Sequence, residues 1–93
     1  MGLFSRWVTR KKFSDGAVLW PSGKEQFSYL NNVGEQFDFE VLYPSQISGF
    51  ANLIVASSIS NVNGNFVGEE AKREIFSKCI AYFADRGEKA SIV

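Results

Sequence analysis

Asp38 and Glu40 are two carboxylates separated by one residue in the stretch EQFDFEVLY. Phe37, Phe39 and Val41 alternate with them, and this period of two predicts a β-strand with both carboxylates on one face. Carboxylates at this spacing on a strand lie about 7 Å apart, which suits a hard cation or a pair of catalytic acids. The alternative interpretation is a solvent-facing strand surface, or a surface that contacts a partner.

Several kinds of chemistry lack the residues that they require. The sequence contains no histidine, which is the most common general base and metal ligand. The single cysteine, Cys79, falls among the apolar residues of a predicted helix, whereas a nucleophilic thiol needs exposure and positive surroundings. Asp38 and Glu40 have no obvious third carboxylate nearby to complete a cation site. We therefore predict no metal site, no cofactor and no catalytic residue, and expect a protein that is not an enzyme.

Charge is unevenly distributed along the chain, although ten basic and ten acidic residues cancel. Residues 25–60 carry acidic residues and no basic one. We predict that these acidic residues form a partner-binding face for a basic protein surface: Glu25, Glu35, Asp38 and Glu40. The neutral total argues against a general nucleic-acid or membrane-surface binder, since a basic excess supplies the affinity of such proteins.

Basic residues cluster in the first part of the sequence. Arg10, Lys11 and Lys12 follow Trp7, and nucleic-acid modules interleave basic and aromatic residues in this way. An alternative function is therefore a small nucleic-acid-associated module that uses these four residues as its contact. The other interpretation is an edge strand whose lysines prevent unwanted pairing.

Turn signals divide the first part of the chain into short strands. The strand-like segments RWVTRKKF, AVLW, EQFSYLN and EQFDFEVLY are separated by Asp15-Gly16, by Pro21-Ser22-Gly23 and by the residues NNVG. Pro44 should end the fourth strand because it has no N–H for the ladder. The β-branched residues of NLIVASSI favour a further strand, although a short helix also fits its pattern, and KASIV is predicted to form the last strand.

The segment GEEAKREIFSKCIAYFADRG predicts an amphipathic helix from Glu69 to Arg86. Gly87 suits a left-handed C-terminal cap, and Glu74 and Lys78 have the spacing of a favourable ion pair. We expect one apolar stripe of the helix to pack against the sheet through Ile75, Phe76, Cys79, Ile80 and Phe83.

The predicted fold class is α+β, with a mainly antiparallel sheet of about five to six strands and one long C-terminal amphipathic helix packed on one face. Residues 1–93 should form a single domain, because a second core would not fit in this length. No apolar run approaches the roughly 18 residues of a membrane-spanning helix. The single cysteine and the lack of an apolar signal region predict a cytoplasmic protein.

The C-terminal portion, residues 54–93, resembles small bacterial toxin-immunity proteins of the α+β type. The matching features are Ser58-Ile59, the helix Glu69–Arg86, Gly87 and the final Ser91-Ile92-Val93. The resemblance implies a non-enzymatic cytosolic protein that binds and blocks one cognate toxin domain. Such an inhibitor, using the acidic face, is our leading hypothesis. Besides the nucleic-acid module, a third hypothesis is a structural or assembly subunit that forms homo-oligomers through its strand edges.

Overall fold

The computed structural model describes residues 10–93, and Trp7 lies outside the described residues together with the first half of the segment RWVTRKKF. The described residues form seven strands: β1 (Lys11–Lys12), β2 (Val18–Gly23), β3 (Gln26–Leu30), β4 (Gln36–Leu42), β5 (Ala51–Ile54), β6 (Ser60–Asn61) and β7 (Lys89–Ile92). One α-helix, α1, spans Glu69–Ala84, and a short 3₁₀ helix, Ala56–Ser58, lies between β5 and β6. The predicted α+β fold with a C-terminal helix is confirmed.

Antiparallel pairing dominates the sheet, whose strand order is β1-β2-β3-β4-β5-β7. β6 also pairs with β4, on the same edge as β5. β7 is the exception, because it pairs in parallel with β5. A parallel pair needs a long crossover connection, and α1 lies within that connection.

One face of the sheet, the inner face, packs against α1. In the register of β3 and β4, Phe27 stands opposite Phe39 and Tyr29 opposite Phe37. Side chains alternate along a strand, so these four rings share the inner face. The buried core also contains Leu19, Val41 and Ile54 from the sheet and Ile75, Cys79, Tyr82 and Phe83 from α1. Asp38 and Glu40 consequently point to the opposite, outer face.

The apolar stripe of α1 is narrower than predicted. Ile80 was expected in the core, but 47% of its surface is exposed, so that prediction is wrong. The reason is geometric, because successive helix residues are rotated by about 100° and Ile80 lies that far around the helix from Cys79. Ile75 and Phe83 lie within about 40° of Cys79 on either side and are buried. Burial raises the pKa of the Cys79 thiol to about 12, as expected for a structural cysteine.

Polar contacts connect α1 to the sheet. The hydroxyl of Tyr29 donates to the carboxylate of Glu74, and burial together with this carboxylate raises the pKa of Tyr29. Lys78 pairs with Asp15 of the β1–β2 turn at 2.8 Å. The predicted pairing of Glu74 with Lys78 is therefore wrong, since each residue bonds to the sheet side instead. Within residues 10–93, no helix reaches the length and apolarity that crossing a bilayer requires.

The turn between β2 and β3 lies later than predicted. Pro21, Ser22 and Gly23 belong to β2, and Lys24 and Glu25 form the turn. The Ala17 carbonyl accepts from the Phe13 N–H, so the backbone groups of Ala17 face β1. Backbone groups alternate between the two edges of a strand, so those of Pro21, four residues later, face the β1 side as well. The missing N–H of Pro21 thus removes no bond to β3, and β2 continues through Pro21 to a register shift between Pro21 and Gly23.

Candidate functional site

An open depression of about 540 Å³ on the outer face contains both carboxylates of the predicted strand. Asp38 and Glu40 are each half-buried in it, rather than fully exposed. The β2–β3 turn forms one wall, and the segment between β5 and β6 forms another. We call this surface the acidic depression, and its lining residues are Gly23, Lys24, Glu25, Gln26, Asp38, Phe39, Glu40, Ser58 and Ser60.

A serine on the neighbouring strand holds the Asp38 carboxylate in place. The hydroxyl of the buried residue Ser28 donates to Asp38 Oδ1 at 2.7 Å, and Gln36 Nε2 donates to the same oxygen at 3.4 Å. The Ser28 and Ser22 hydroxyls lie 2.8 Å apart. Because Ser28 has one proton and gives it to Asp38, Ser22 must donate to Ser28. Among residues 10–93, the Ser28 and Gln36 donors both reach Asp38 Oδ1, and no donor reaches Asp38 Oδ2.

On the edge of β4 that faces β5 and β6, the backbone N–H of Glu40 bonds to a serine side chain and not to a neighbouring strand. Ser58 Oγ accepts from the Glu40 N–H at 2.7 Å and donates to the Val55 carbonyl at 2.6 Å. The Val55 N–H in turn donates to the Glu40 carbonyl at 3.0 Å. Pairing with β5 covers Val41 and Leu42, and pairing with β6 covers Phe37 and Asp38. Ser58 therefore bridges the gap between the two short strands.

This gap lies within NLIVASSI, for which the sequence favoured a strand and left a short helix open, and the structure contains both. Only Ala51–Ile54 is a strand there, and Ala56–Ser58 forms a 3₁₀ helix. Serine hydroxyls compete with sheet hydrogen bonds for nearby backbone groups, as the bond from Ser58 to Val55 illustrates. The resulting corner directs Ser58 and Ser60 into the acidic depression.

Replacing Ser58 with alanine is expected to lower the free energy of unfolding by about 1 kcal/mol, because the Glu40 N–H loses its partner. Urea unfolding followed by tryptophan fluorescence measures this change. Ser57→Ala is the matched control, since Ser57 is exposed on the same 3₁₀ helix. Equal losses in the two variants would show that the bond to Glu40 does not stabilise this wall.

The four acidic residues of the predicted face are divided between two places. Glu25 lies in the β2–β3 turn beside Asp38 and Glu40, with its carbonyl bonded to the Val41 N–H at 3.0 Å. Glu35 lies in the β3–β4 turn, where its carboxylate accepts from Asn31 Nδ2 at 3.2 Å. Glu35 and Glu40 are five residue rises apart along an extended chain, or about 17 Å. The acidic depression thus combines three of the four and does not include Glu35.

The basic residues of the alternative hypothesis do not share one surface. Arg10 lies over the Trp20 ring at 5.4 Å, and Lys11 pairs with Asp85 just after α1. Lys12 is exposed. Lys11 and Lys12 are adjacent on β1, so their side chains point to opposite faces of the sheet.

Two polar residues of β3 that support the depression were not identified from the sequence. Gln26 lines the depression and stands opposite Glu40, and the buried Ser28 stands opposite Asp38 and bonds to it. Their alternation with Phe27 in EQFSYLN places them on a common face, and this signal is visible in the sequence. Their partners follow only from the register, which depends on the Lys24-Glu25 turn.

Oxygen atoms of carboxylates, amides and hydroxyls line the acidic depression, and this donor set suits cationic groups. Within residues 10–93, no three His, Cys, Asp or Glu side chains lie close enough together to hold a metal ion. No protein-family model, no curated protein and no solved structure matches this chain. The best guide to function is therefore the geometry and charge of the acidic depression.

Proposed function

We propose that this protein is a small binding module of the immunity type, which neutralises a cognate toxin domain by covering a basic surface of it. The contact is the acidic depression, and the proposal rests on Asp38 and Glu40 standing half-buried in it on one strand. In this proposal the protein acts in the bacterial cytoplasm and catalyses no reaction. Arginine and lysine side chains of the toxin enter the depression and bond to its carboxylates.

Rigidity of the strand supports this role. β4 pairs with β3 along one edge and with β5 and β6 along the other. Ser28 fixes the Asp38 side chain, and Ser58 fixes the backbone at Glu40. A group that is already ordered loses little conformational entropy when a partner binds, so more of the interaction energy contributes to affinity. A preorganised acidic surface is therefore well suited to an inhibitor.

Charge and partial burial support it as well. The lining residues include three carboxylates, Glu25, Asp38 and Glu40, against the ammonium of Lys24, which gives a net charge of −2. Half-buried charges interact more strongly than exposed ones, because less water screens them. A negative depression also attracts a basic partner at a distance, which raises the association rate.

Affinity capture from the native cell tests the proposal, using wild type and the variant Asp38→Asn/Glu40→Gln as bait. We expect wild type to recover a basic protein that the variant recovers at a tenth or less, the effect of roughly 1.4 kcal/mol of lost binding energy. The control Glu35→Gln/Glu70→Gln also removes two charges but leaves the acidic depression intact, so its recovery should equal that of wild type. Equal recovery of every partner by all three baits would contradict the proposal.

Neutralisation needs a second readout. The captured protein, expressed alone, is expected to stop growth, and co-expression with wild type should restore it. Asp38→Asn/Glu40→Gln should restore growth poorly, while the control should restore it fully. A captured partner that has no effect on growth would leave a binding module but exclude the immunity role.

A further inference from the structure

The outer face of the sheet carries apolar side chains as well as the acidic depression. Val18, Trp20 and Leu30 alternate with buried inner-face residues of β2 and β3, and each of them is half-buried. The α-helix of residues 10–93 packs on the other side of the sheet, against the inner face. Grouped apolar side chains on an open sheet face indicate a contact with another protein surface.

One row of side chains crosses the outer face from a cation to a carboxylate. Trp20 stands opposite Ser28, and Ser28 stands opposite Asp38. Extending the pairing of β1 with β2 by one residue places Arg10 opposite Trp20, and its guanidinium lies over that ring at 5.4 Å. We call Arg10, Trp20, Ser28 and Asp38 the charged row. Arg10 and Asp38 are three strand spacings apart, or about 14 Å.

The neighbouring row is apolar at its centre and polar at both ends. Val18 of β2 stands opposite Leu30 of β3. Lys12 stands beside Val18 on β1, and Gln36 stands beside Leu30 on β4. We call these four residues the apolar row. In both rows, each residue of β1 or β2 has a chemically complementary residue on β4 or β3.

We propose that two copies of this chain associate through their outer faces, about a twofold axis that runs along the strands between β2 and β3. This rotation reverses each row and keeps its level along the strands, so both copies present the same patch. Arg10 of each copy then lies over Asp38 of the other, and Val18 lies over Leu30. Sheets that pack face to face keep their strands nearly aligned, as this axis requires.

A second copy fits this face because the charges of the face complement themselves. The twofold axis forms two ion pairs between Arg10 and Asp38 at once, and no like charges meet within the two rows. A guanidinium can lie on an aromatic ring and donate from its edge to a carboxylate at the same time, so Arg10 keeps its contact with Trp20. The Ser28 hydroxyl already positions the Asp38 carboxylate, at 2.7 Å.

The dimer is expected to be weak. The two rows cover roughly 19 Å across the strands and roughly 14 Å along them. Small contacts of this kind form transient complexes, and salt screens ion pairs that are only half-buried. The dimer should therefore form at high protein concentration and low ionic strength, and the monomer should prevail in dilute solution.

Association through the outer faces regulates the site of the proposed function. Each copy places Arg10 over Asp38 of the other, so the second copy and a basic toxin surface compete for the acidic depression. In dilute solution the chain is a monomer and the depression is open to the toxin. The dimer does not rest on the inhibitor role, and its test uses this chain alone, so each proposal can fail without the other.

Sedimentation of the purified protein over a range of concentrations, at about 50 mM and about 500 mM salt, tests the dimer. Wild type should form a dimer at low salt, and its dissociation constant should rise about tenfold or more at high salt. Arg10→Asp should abolish the dimer, since it sets two carboxylates opposite each other.

Arg73→Asp is the matched control for this measurement. It reverses the charge of an exposed arginine on α1, on the other side of the sheet, and should leave the dissociation constant unchanged. A monomer at every concentration of wild type, or a dimer that Arg10→Asp leaves intact, would overturn the proposal.

Mixing two charge-reversed variants identifies the residues that meet. Arg10→Asp and Asp38→Arg each set like charges opposite each other in their own dimers, whereas a mixed dimer joins opposite charges at both contacts. We expect each variant alone to sediment as a monomer and the equimolar mixture to form a dimer at low salt. A mixture of two folded variants that stays monomeric would refute the contact.

Circular dichroism establishes that both variants keep the fold. If Asp38→Arg does not fold, Asp38→Asn takes its place and is expected to raise the dissociation constant of the dimer about tenfold. An unchanged dissociation constant for that variant would refute the pairing of Arg10 with Asp38.

Discussion

Phe83→Ala is expected to lower the free energy of unfolding by about 3–5 kcal/mol, as removal of a core phenylalanine does. Only 4% of the Phe83 surface is exposed. Its ring centroid lies 5.6 Å from that of Phe27 and 5.1 Å from that of Tyr82, so it connects α1 to the inner face of the sheet. Alanine removes these contacts and leaves a cavity that surrounding residues fill only in part.

Urea unfolding measures this loss, and Phe66→Ala provides a control of identical chemistry. Phe66 lies in the connection before α1 and is 94% exposed, so its removal should change the free energy by no more than about 0.5 kcal/mol. Losses of similar size in the two variants would mean that α1 does not cover the sheet through Phe83.

Two isoleucines on the same helix should also differ strongly in their effect on stability. Ile75 is fully buried, and Ile75→Ala is expected to cost about 2–5 kcal/mol. Ile80 is on the edge of the helix away from the sheet, so Ile80→Ala should be neutral or slightly stabilising, since alanine is the better helix former. Both variants remove the same atoms from the same helix, and the comparison therefore isolates burial.

Thermal and urea unfolding of the two isoleucine variants measure the difference between their free energies of unfolding. The angular position of Ile80, about 100° from Cys79, is what excludes it from the core. If Ile80→Ala were as destabilising as Ile75→Ala, the wider apolar stripe expected from the sequence would be correct.

Local sequence patterns identified the main strands and the helix, because hydrophobic residues recur within a few positions in both kinds of element. Alternation over EQFDFEVLY is enough to define β4 and its two faces, and helical spacing is enough to define α1. The width of the helix stripe was overestimated at Ile80, which lies about 100° around the helix from Cys79. The helical periodicity of the sequence already contained this angle.

Contacts between distant segments account for the features that the sequence did not predict. Ser58 accepts from the backbone N–H of Glu40, which is 18 residues away in sequence. No local sequence pattern indicates that a serine hydroxyl takes the place of a strand carbonyl at that point. Pro21 suggested a turn, but its nitrogen faces the β1 side and β2 continues. Glu35 and Glu40 are close in sequence, yet an extended strand separates them by about 17 Å. The sequence therefore predicted that Asp38 and Glu40 share one face, but it did not predict the residues that form the walls of the acidic depression.

Association kinetics with the captured basic partner test the contact role of Asp38 and Glu40 most directly. Stopped-flow mixing at about 20 mM and about 500 mM salt compares weak with strong electrostatic screening. At low salt, the association rate constant of Asp38→Asn/Glu40→Gln should be lower than that of wild type by a factor of about ten or more. At high salt the two rate constants should become equal, because the carboxylates act mainly by attracting the partner over a distance. Equal association rate constants for the two proteins at low salt would contradict a contact role for the acidic depression.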